Sequence, residues 1–252
     1  MIQKKYYLNI LLLLFLFAVI TSCDEDEEDR IYSYPTDVTL GIMSGYGVSI
    51  DPNHQDWKVE INNPEIIDVT MDENSLNIIP KKLGATRFLV FGGNNEELFR
   101  VNVEVVVSEI YYSLDRLSTI VEVIDESYKE VIEKEMEDLY PHAIGTTYVL
   151  TYYTRSDGEL SVHPAGGGDL IKGTFYEGEN DSIVFRYNGL EQHYLMDIVV
   201  NDSKPQPNIE DVDFYFIKDY TLYFRDKYPE AGVFRVKGQQ ITKLINPWKV
   251  DD

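Results

Sequence analysis

Ile183-Val184-Phe185-Arg186-Tyr187-Asn188-Gly189-Leu190-Glu191-Gln192-His193-Tyr194 is the stretch that decides the fold. Asn-Gly between two alternating runs is a strong β-hairpin signal, because a tight hairpin turn needs positive φ at both residues and these two tolerate it best. Ile183, Phe185 and Tyr187 alternate with Val184, Arg186 and Asn188, so one face of the first strand packs while the other is wetter. The second strand covers residues 192–200. Working outward, residues 147–153 and 159–162 flank Ser156-Asp157-Gly158, and residues 213–217 and 221–225 flank Lys218-Asp219. Seven or eight strands in hairpin order imply an antiparallel meander, strongly curved or partly closed into a barrel. Such a barrel has an interior, and that interior is the pocket the pattern offers.

A helix is expected ahead of the meander. Tyr128, Val131, Ile132, Met136, Leu139 and Tyr140 share a helical face, Ser127 and Glu130 make a capping box, and Pro141 closes the segment. Leu114, Leu117, Val121 and Ile124 extend that face backward, whereas the β-branched run 119–124 permits a strand instead. Residues 108–252 are therefore read as an α+β domain with one N-terminal helix.

Residues 32–107 carry short β runs at 59–61, 66–69, 76–79, 87–90 and 99–107. They are separated by Asn62-Asn63-Pro64, Asp72-Glu73-Asn74, Leu83-Gly84 and Gly92-Gly93-Asn94-Asn95, a spacing that points to an all-β sandwich. Trp57-Lys58-Val59-Glu60-Ile61, Asn63-Pro64-Glu65-Ile66-Ile67-Asp68-Val69, the run Leu76 to Thr86 with Gly84-Ala85-Thr86, and Val101-Asn102-Val103-Glu104-Val105 together resemble a bacterial Ig-like domain of the BIG2 type. Gly84-Ala85-Thr86 departs slightly from the family's Gly-Thr pair, and residues 38–50 match poorly. The resemblance implies a spacer or adhesion module. Trp57, beside an alternating strand, reads as core filler rather than a ligand platform.

Charge and the N-terminus set the location. With 22 Lys+Arg against 44 Asp+Glu the formal net charge is −22, the opposite of the basic footprint that nucleic acid requires. A single cysteine excludes an intrachain disulfide and a thiolate metal cluster. Lys4 and Lys5 precede an unbroken apolar run from Ile10 to Ile20, about 16 Å as a helix, which is too short for a permanent span and reads as a signal peptide over 1–22. Ile20-Thr21-Ser22-Cys23 resembles the lipobox of bacterial lipoproteins. That resemblance implies cleavage before Cys23, a diacylglyceryl thioether on its sulfur and an acylated amino group, giving the multiple chains that stable anchoring needs.

Asp24, Glu25, Asp26, Glu27, Glu28 and Asp29 follow directly. A like-charge block of this length stays solvated and makes 23–31 a tether. Its place behind the lipidation site resembles the surface-export signal of Bacteroidota lipoproteins.

No catalytic constellation stands out. His54, His142, His163 and His193 match no metal-ligand spacing, and Gly166-Gly167-Gly168-Asp169 lacks the Lys-Ser/Thr ending of a phosphate loop. Asp211 with Asp213, and Glu177 with Glu179, are carboxylate pairs of the kind glycosidases use, but acids are so abundant that such pairs arise by chance. The oxygen-bearing run from Asp51 to Asp56 lacks the glycine and distal glutamate of an EF-hand.

Fourteen of the nineteen tyrosines fall in residues 108–252. Tyr153, Tyr215 and Tyr223 are out of phase with Tyr152, Phe214 and Phe224, and these three are the candidate ligand platform, since flat amphipathic rings suit sugar faces and protein partners. The expectation is a lipid-anchored, non-catalytic protein of the outer-membrane surface. It binds a glycan or a surface partner, or else is a structural component of a surface assembly with no small ligand, an enzyme being a distant third reading. No cofactor, metal or nucleic acid is expected.

Overall fold

The computed structural model describes residues 33–51, 57–72, 75–93, 95–200 and 211–245. Residues 1–22, where a signal peptide is expected, Cys23 and the acids from Asp24 to Asp29 lie outside the described residues, as do His54 with the rest of 52–56, and Glu73, Asn74 and Asn94. Two compact units form, one ending at Ser108 and one beginning at Glu109, with the turn Tyr153–Arg155 grouped with the first.

The first unit contains β1 (Asp37–Gly41), β2 (Tyr46–Ser49), β3 (Lys58–Ile61), β4 (Ile67–Asp72), β5 (Ser75–Pro80), β6 (Gly84–Phe91) and β7 (Glu97–Val106). They make a four-stranded sheet in the order β1-β7-β6-β3 and a three-stranded sheet in the order β2-β5-β4. The pair β1–β7 is parallel and the other pairs are antiparallel. Period-2 alternation sets the inner faces. Val101, Val103 and Val105 are buried on β7 while Asn102 and Glu104 face water, and Leu76, Ile78, Phe88 and Val90 are buried on β5 and β6. The five β runs expected between 59 and 107 are all strands, and two more, β1 and β2, occupy the stretch 38–50. Trp57 is half-buried before β3, its ring edge-on to Phe99 at 6.0 Å.

The second unit is a closed barrel. Its strands are β8 (Ser108–Val123), β9 (Thr147–Tyr152), β10 (Asp157–His163), β11 (Ile171–Glu177), β12 (Ser182–Tyr187), β13 (Leu190–Val200), β14 (Val212–Asp219) and β15 (Val233–Leu244). Each pairs with its neighbour in sequence and β15 pairs with β8, so the meander is fully closed rather than partly so. Asn188 and Gly189 both have positive φ, 52° and 72°, and Tyr187 pairs with Leu190, which is the tight two-residue hairpin the sequence predicts.

Helix α1 (Lys129–Leu139) joins β8 to β9, and helix α2 (Thr221–Lys227) lies between β14 and β15. Three expectations are corrected here. The unit opens with strand β8, not with a helix: Thr119, Ile120, Val121 and Val123 favour the pleated form, and pairing with β15 rewards it. Residues 221–225 are helical, because Tyr220, Phe224 and Tyr228 recur at four-residue spacing and pack against the α1 cluster. Ser127 and Glu130 do not form the capping box. Asp125 caps the turn instead, its carboxylate accepting from the Ser127 N–H at 3.0 Å and the Ser127 hydroxyl at 2.7 Å.

Aromatic rings fill the barrel. Phe216 touches Tyr112, Tyr148, Phe185 and Tyr194 with ring centroids 5.4–6.0 Å apart, all of them buried. Such offset and edge-on pairs add to the stabilisation from burial. The outside of the barrel carries exposed ion pairs, Lys172–Glu159, Arg186–Glu191 and Arg116–Asp213, each at 2.6 Å. Apolar inside and charged outside is the reverse of a membrane-spanning barrel.

Candidate functional site at the barrel ends

Strand directions alternate around the ring, so the barrel has two distinct ends. At one lie the start of β8 and the ends of β9 and β11. At the other lie the ends of β12 and β14, the starts of β9 and β13, and both helices. The inward rows of β12 and β14 are apolar at mid-height, at Phe185 and Phe216, and polar inward groups stand toward an end on β11, β13 and β14, at Glu177, Gln192 and Lys218.

At the first end Glu177, inward on β11, accepts a hydrogen bond from the Tyr152 hydroxyl, and Tyr112 is close enough to feel its charge. Burial raises the Glu177 carboxyl above the ordinary carboxylate range, the Tyr152 hydrogen bond partly opposing it. Burial also pushes the Tyr112 and Tyr152 phenols up, so both remain neutral donors.

At the second end Phe214, Phe216 and Lys218 form one inward row on β14. Lys218 Nζ donates to Gln192 Oε1 at 2.5 Å and stands 5.0 Å over the Tyr220 ring. Among the described residues no carboxylate lies within ion-pair distance of Lys218, and burial lowers its ammonium below the usual lysine value. His142, in the segment between α1 and β9, sits between two rings, 5.6 Å from Tyr148 and 5.5 Å from Tyr187, with Nε2 3.1 Å from the Tyr187 hydroxyl. Burial holds its imidazole below the usual histidine value, so at neutral pH it is uncharged. Deeper in, the Tyr148 hydroxyl donates to Gln240 Oε1 at 2.5 Å. Burial pushes the Tyr220 phenol up to about 12.

The helices close the β8–β15 side of this end. Ile132 and Met136 of α1 are fully buried against Val121, Val123 and Val236, and the Tyr140 hydroxyl donates to the Ser118 carbonyl at 2.5 Å. Gly238 permits the close approach: a Cβ there would meet Met136 Cε at 2.8 Å and the rings of Tyr140 and Tyr220 at 3.2 and 3.3 Å. The polar groups of Tyr187, Gln192 and Lys218 are thereby gathered on the β12–β14 side. The arrangement supplies one cation, an imidazole, an amide and a half-buried ring, groups that can hydrogen-bond oxygen atoms.

The three platform tyrosines are not brought together. Tyr153 is 44% exposed in the turn after β9, at the Glu177 end, whereas Tyr223 is 48% exposed on α2 at the opposite end. Tyr215 points outward at mid-height on β14, opposite Asp197 and Ile241. Their partners Tyr152, Phe214 and Phe224 are buried. His163 and His193 lie on exposed strand positions, His193 pairing with Glu191 at 2.7 Å. Asp213 serves ion pairs to Arg116 at 2.6 Å and Lys243 at 3.2 Å. Gly166 and Gly167 take positive φ in the turn joining β10 to β11. Among the described residues no group of three or more metal-ligating side chains converges.

Lys218 was missed by the sequence reading because it was assigned to a turn. The alternation Phe214, Phe216, Lys218 carries the signal once β14 is extended to Asp219. No protein-family model matches the chain, and no curated protein matches it significantly.

Proposed function

We propose that this chain is a lipid-anchored, surface-exposed lipoprotein of the outer membrane with a non-catalytic binding role. Cys23 carries the anchor, and Asp24, Glu25, Asp26, Glu27, Glu28 and Asp29 act as tether and export signal. The first unit is an Ig-like sandwich of the BIG2 type. In support, β1-β7-β6-β3 and β2-β5-β4 reproduce the two-sheet order of a seven-stranded immunoglobulin domain, with the first strand moved into the sheet of the last. The barrel is the binding module, and its ligand is a glycan or a surface partner engaged at the Lys218 end.

One observation carries the binding assignment: an inward lysine in an acidic chain, held by an amide and a ring with no carboxylate within ion-pair distance among the described residues. Desolvating an ammonium without a counter-charge costs stability, and a ligand oxygen offsets that cost. The same groups argue against a purely structural role, for which an apolar side chain is the more stable choice.

The test has two arms. Cells expressing the full chain are treated with external protease, and a polysaccharide panel is used to pull down the detergent-solubilised protein. Cleavage on intact cells that is lost when the six acids become alanine, with retention on at least one polysaccharide, is expected. Equal cleavage of the six-alanine variant contradicts the export assignment, and retention on no polymer contradicts the glycan assignment.

A further inference from the structure

A second polar concavity lies on the first unit. It is about 520 Å³ in volume, and Asn62, Asn63, Ala85, Arg87, Asn102 and Glu104 line it together with Asp37 and Thr39. Strand pairing builds it. Asp37, Asn102 and Arg87 form one rung across β1, β7 and β6, and Thr39, Glu104 and Ala85 form a rung two residues along. All six are outward positions, opposite in phase to the buried Val38, Val103 and Phe88. β3 ends at Ile61, paired with Phe88, so from Gly84 to Arg87 β6 is paired with β7 on one side and has no strand on the β3 side. Asn62 and Asn63 rim that gap, held by Asn62 N–H to the Arg87 carbonyl at 2.9 Å and Asn63 N–H to the Thr86 hydroxyl at 3.1 Å. Ala85 is small and leaves the floor open.

Arg87 is the unusual member. Its Nε is buried without a hydrogen-bond partner, and among the described residues no carboxylate lies within ion-pair distance of its guanidinium. Buried donors are nearly always paired, and Arg87 lines the concavity, so its guanidinium is the cation there that an entering acceptor meets. Asp37 does not serve: its carboxylate is taken by Asn102 Nδ2 at 2.9 Å and the Thr36 hydroxyl at 2.8 Å, contacts that hold it below the ordinary carboxylate range.

We propose that this concavity binds a carboxylated sugar, with the Arg87 guanidinium taking the carboxylate and the surrounding amides and hydroxyls taking the ring hydroxyls. A planar five-donor fork matches a carboxylate in two parallel hydrogen bonds. Asn62, Asn63 and Asn102 offer donors and acceptors together, which is what a ring of hydroxyls needs. Asp37 and Glu104 on the same rim accept from hydroxyls and repel the higher charge of a phosphate monoester. The first unit is then a second glycan-binding site and more than a spacer, independent of the barrel.

The test is calorimetric titration of the full chain in detergent with trigalacturonic acid and with 3′-sialyllactose, and with galactotriose and lactose as uncharged counterparts. Either acidic sugar is expected to bind while its uncharged counterpart does not, and which one binds separates uronic from sialic acid. Arg87→Gln is expected to weaken binding at least about tenfold, the effect of one lost charge-assisted pair. Ala85→Leu fills the floor while keeping the Arg87 guanidinium and is expected to weaken binding as much, so a folding defect of one variant does not decide the matter. No binding of either acidic sugar up to ~10 mM, or equal binding by wild type, Arg87→Gln and Ala85→Leu, overturns the proposal.

Discussion

The two ends of the barrel bury opposite charges by different means. At the first end the Glu177 carboxylate is met by a neutral phenol donor, Tyr152, and its burial is relieved by taking up a proton. At the second the Lys218 ammonium is met by a neutral amide acceptor, Gln192, and a ring face, and its burial is relieved by losing one. Among the described residues neither has a charged partner, yet at neutral pH the consequences differ. A carboxyl with a raised pKa is poised nearer to neutrality, while a lysine lowered from 10.5 still has a strong tendency to hold its charge. The second end is therefore the one to which the proposed function assigns an anionic or oxygen-rich ligand.

The strongest way to break this comparison is to collapse the rings that keep the ends apart. Phe216 contacts four aromatic rings at the centre of the barrel, and Phe216→Ala is expected to cost about 3–5 kcal/mol, read as a lower thermal midpoint. Next in size is Gly238→Val, whose side chain has no room against Met136, Tyr140 and Tyr220. Overpacking of this kind costs about 1–3 kcal/mol and is expected to loosen the Lys218 end selectively, seen as faster amide exchange in α1 than in β11.

Glu177→Gln sharpens the comparison from the other side. The native carboxyl is raised above its ordinary value of 4.5, so its favourable contribution is present below that value and is lost as pH rises through the native pKa. The glutamine keeps an acceptor for Tyr152 and carries no charge. The variant is expected to melt about 2–4 °C higher at neutral pH, as a gain of about 1 kcal/mol would give, with the advantage vanishing on acidification below pH 4.5.

His142 has the opposite sign. Its native pKa lies below 6.5, so its contribution is present above pH 6.5 and is lost as pH falls through the native value. His142→Gln is expected to flatten that loss by less than about 1 kcal/mol, seen as a smaller drop of the midpoint on acidification from pH 7.

Much of this architecture is legible in the residues. Asn188-Gly189 fixes one hairpin and its register, and the valine alternation of β7 fixes its buried face. Closure was not legible, because β15 places Gly238, Gln240 and Thr242 on its inward row, so the strand that seals the ring lacks an apolar stripe. Gln240 is buried all the same, bonded to Tyr148 across the interior. Residues 221–225 have strand-like composition, and tertiary packing of Phe224 decides for the helix. The tyrosine surplus was visible, but its use was not: Tyr148, Tyr152 and Tyr194 fill the barrel, leaving Tyr153, Tyr215 and Tyr223 scattered. Arg87 could be read as outward on β6 from Phe88 and Val90, whereas its missing partner needed the rung to Asn102.

The most direct measurement compares the two ends in one assay. The polysaccharide best retained by the wild-type chain is titrated against Lys218→Met and Glu177→Gln, each checked for an intact thermal transition. Loss of about tenfold or more in affinity for Lys218→Met, with Glu177→Gln unchanged, is the predicted result. Unchanged affinity in Lys218→Met, or equal losses in both variants, contradicts the assignment of the Lys218 end as the binding end.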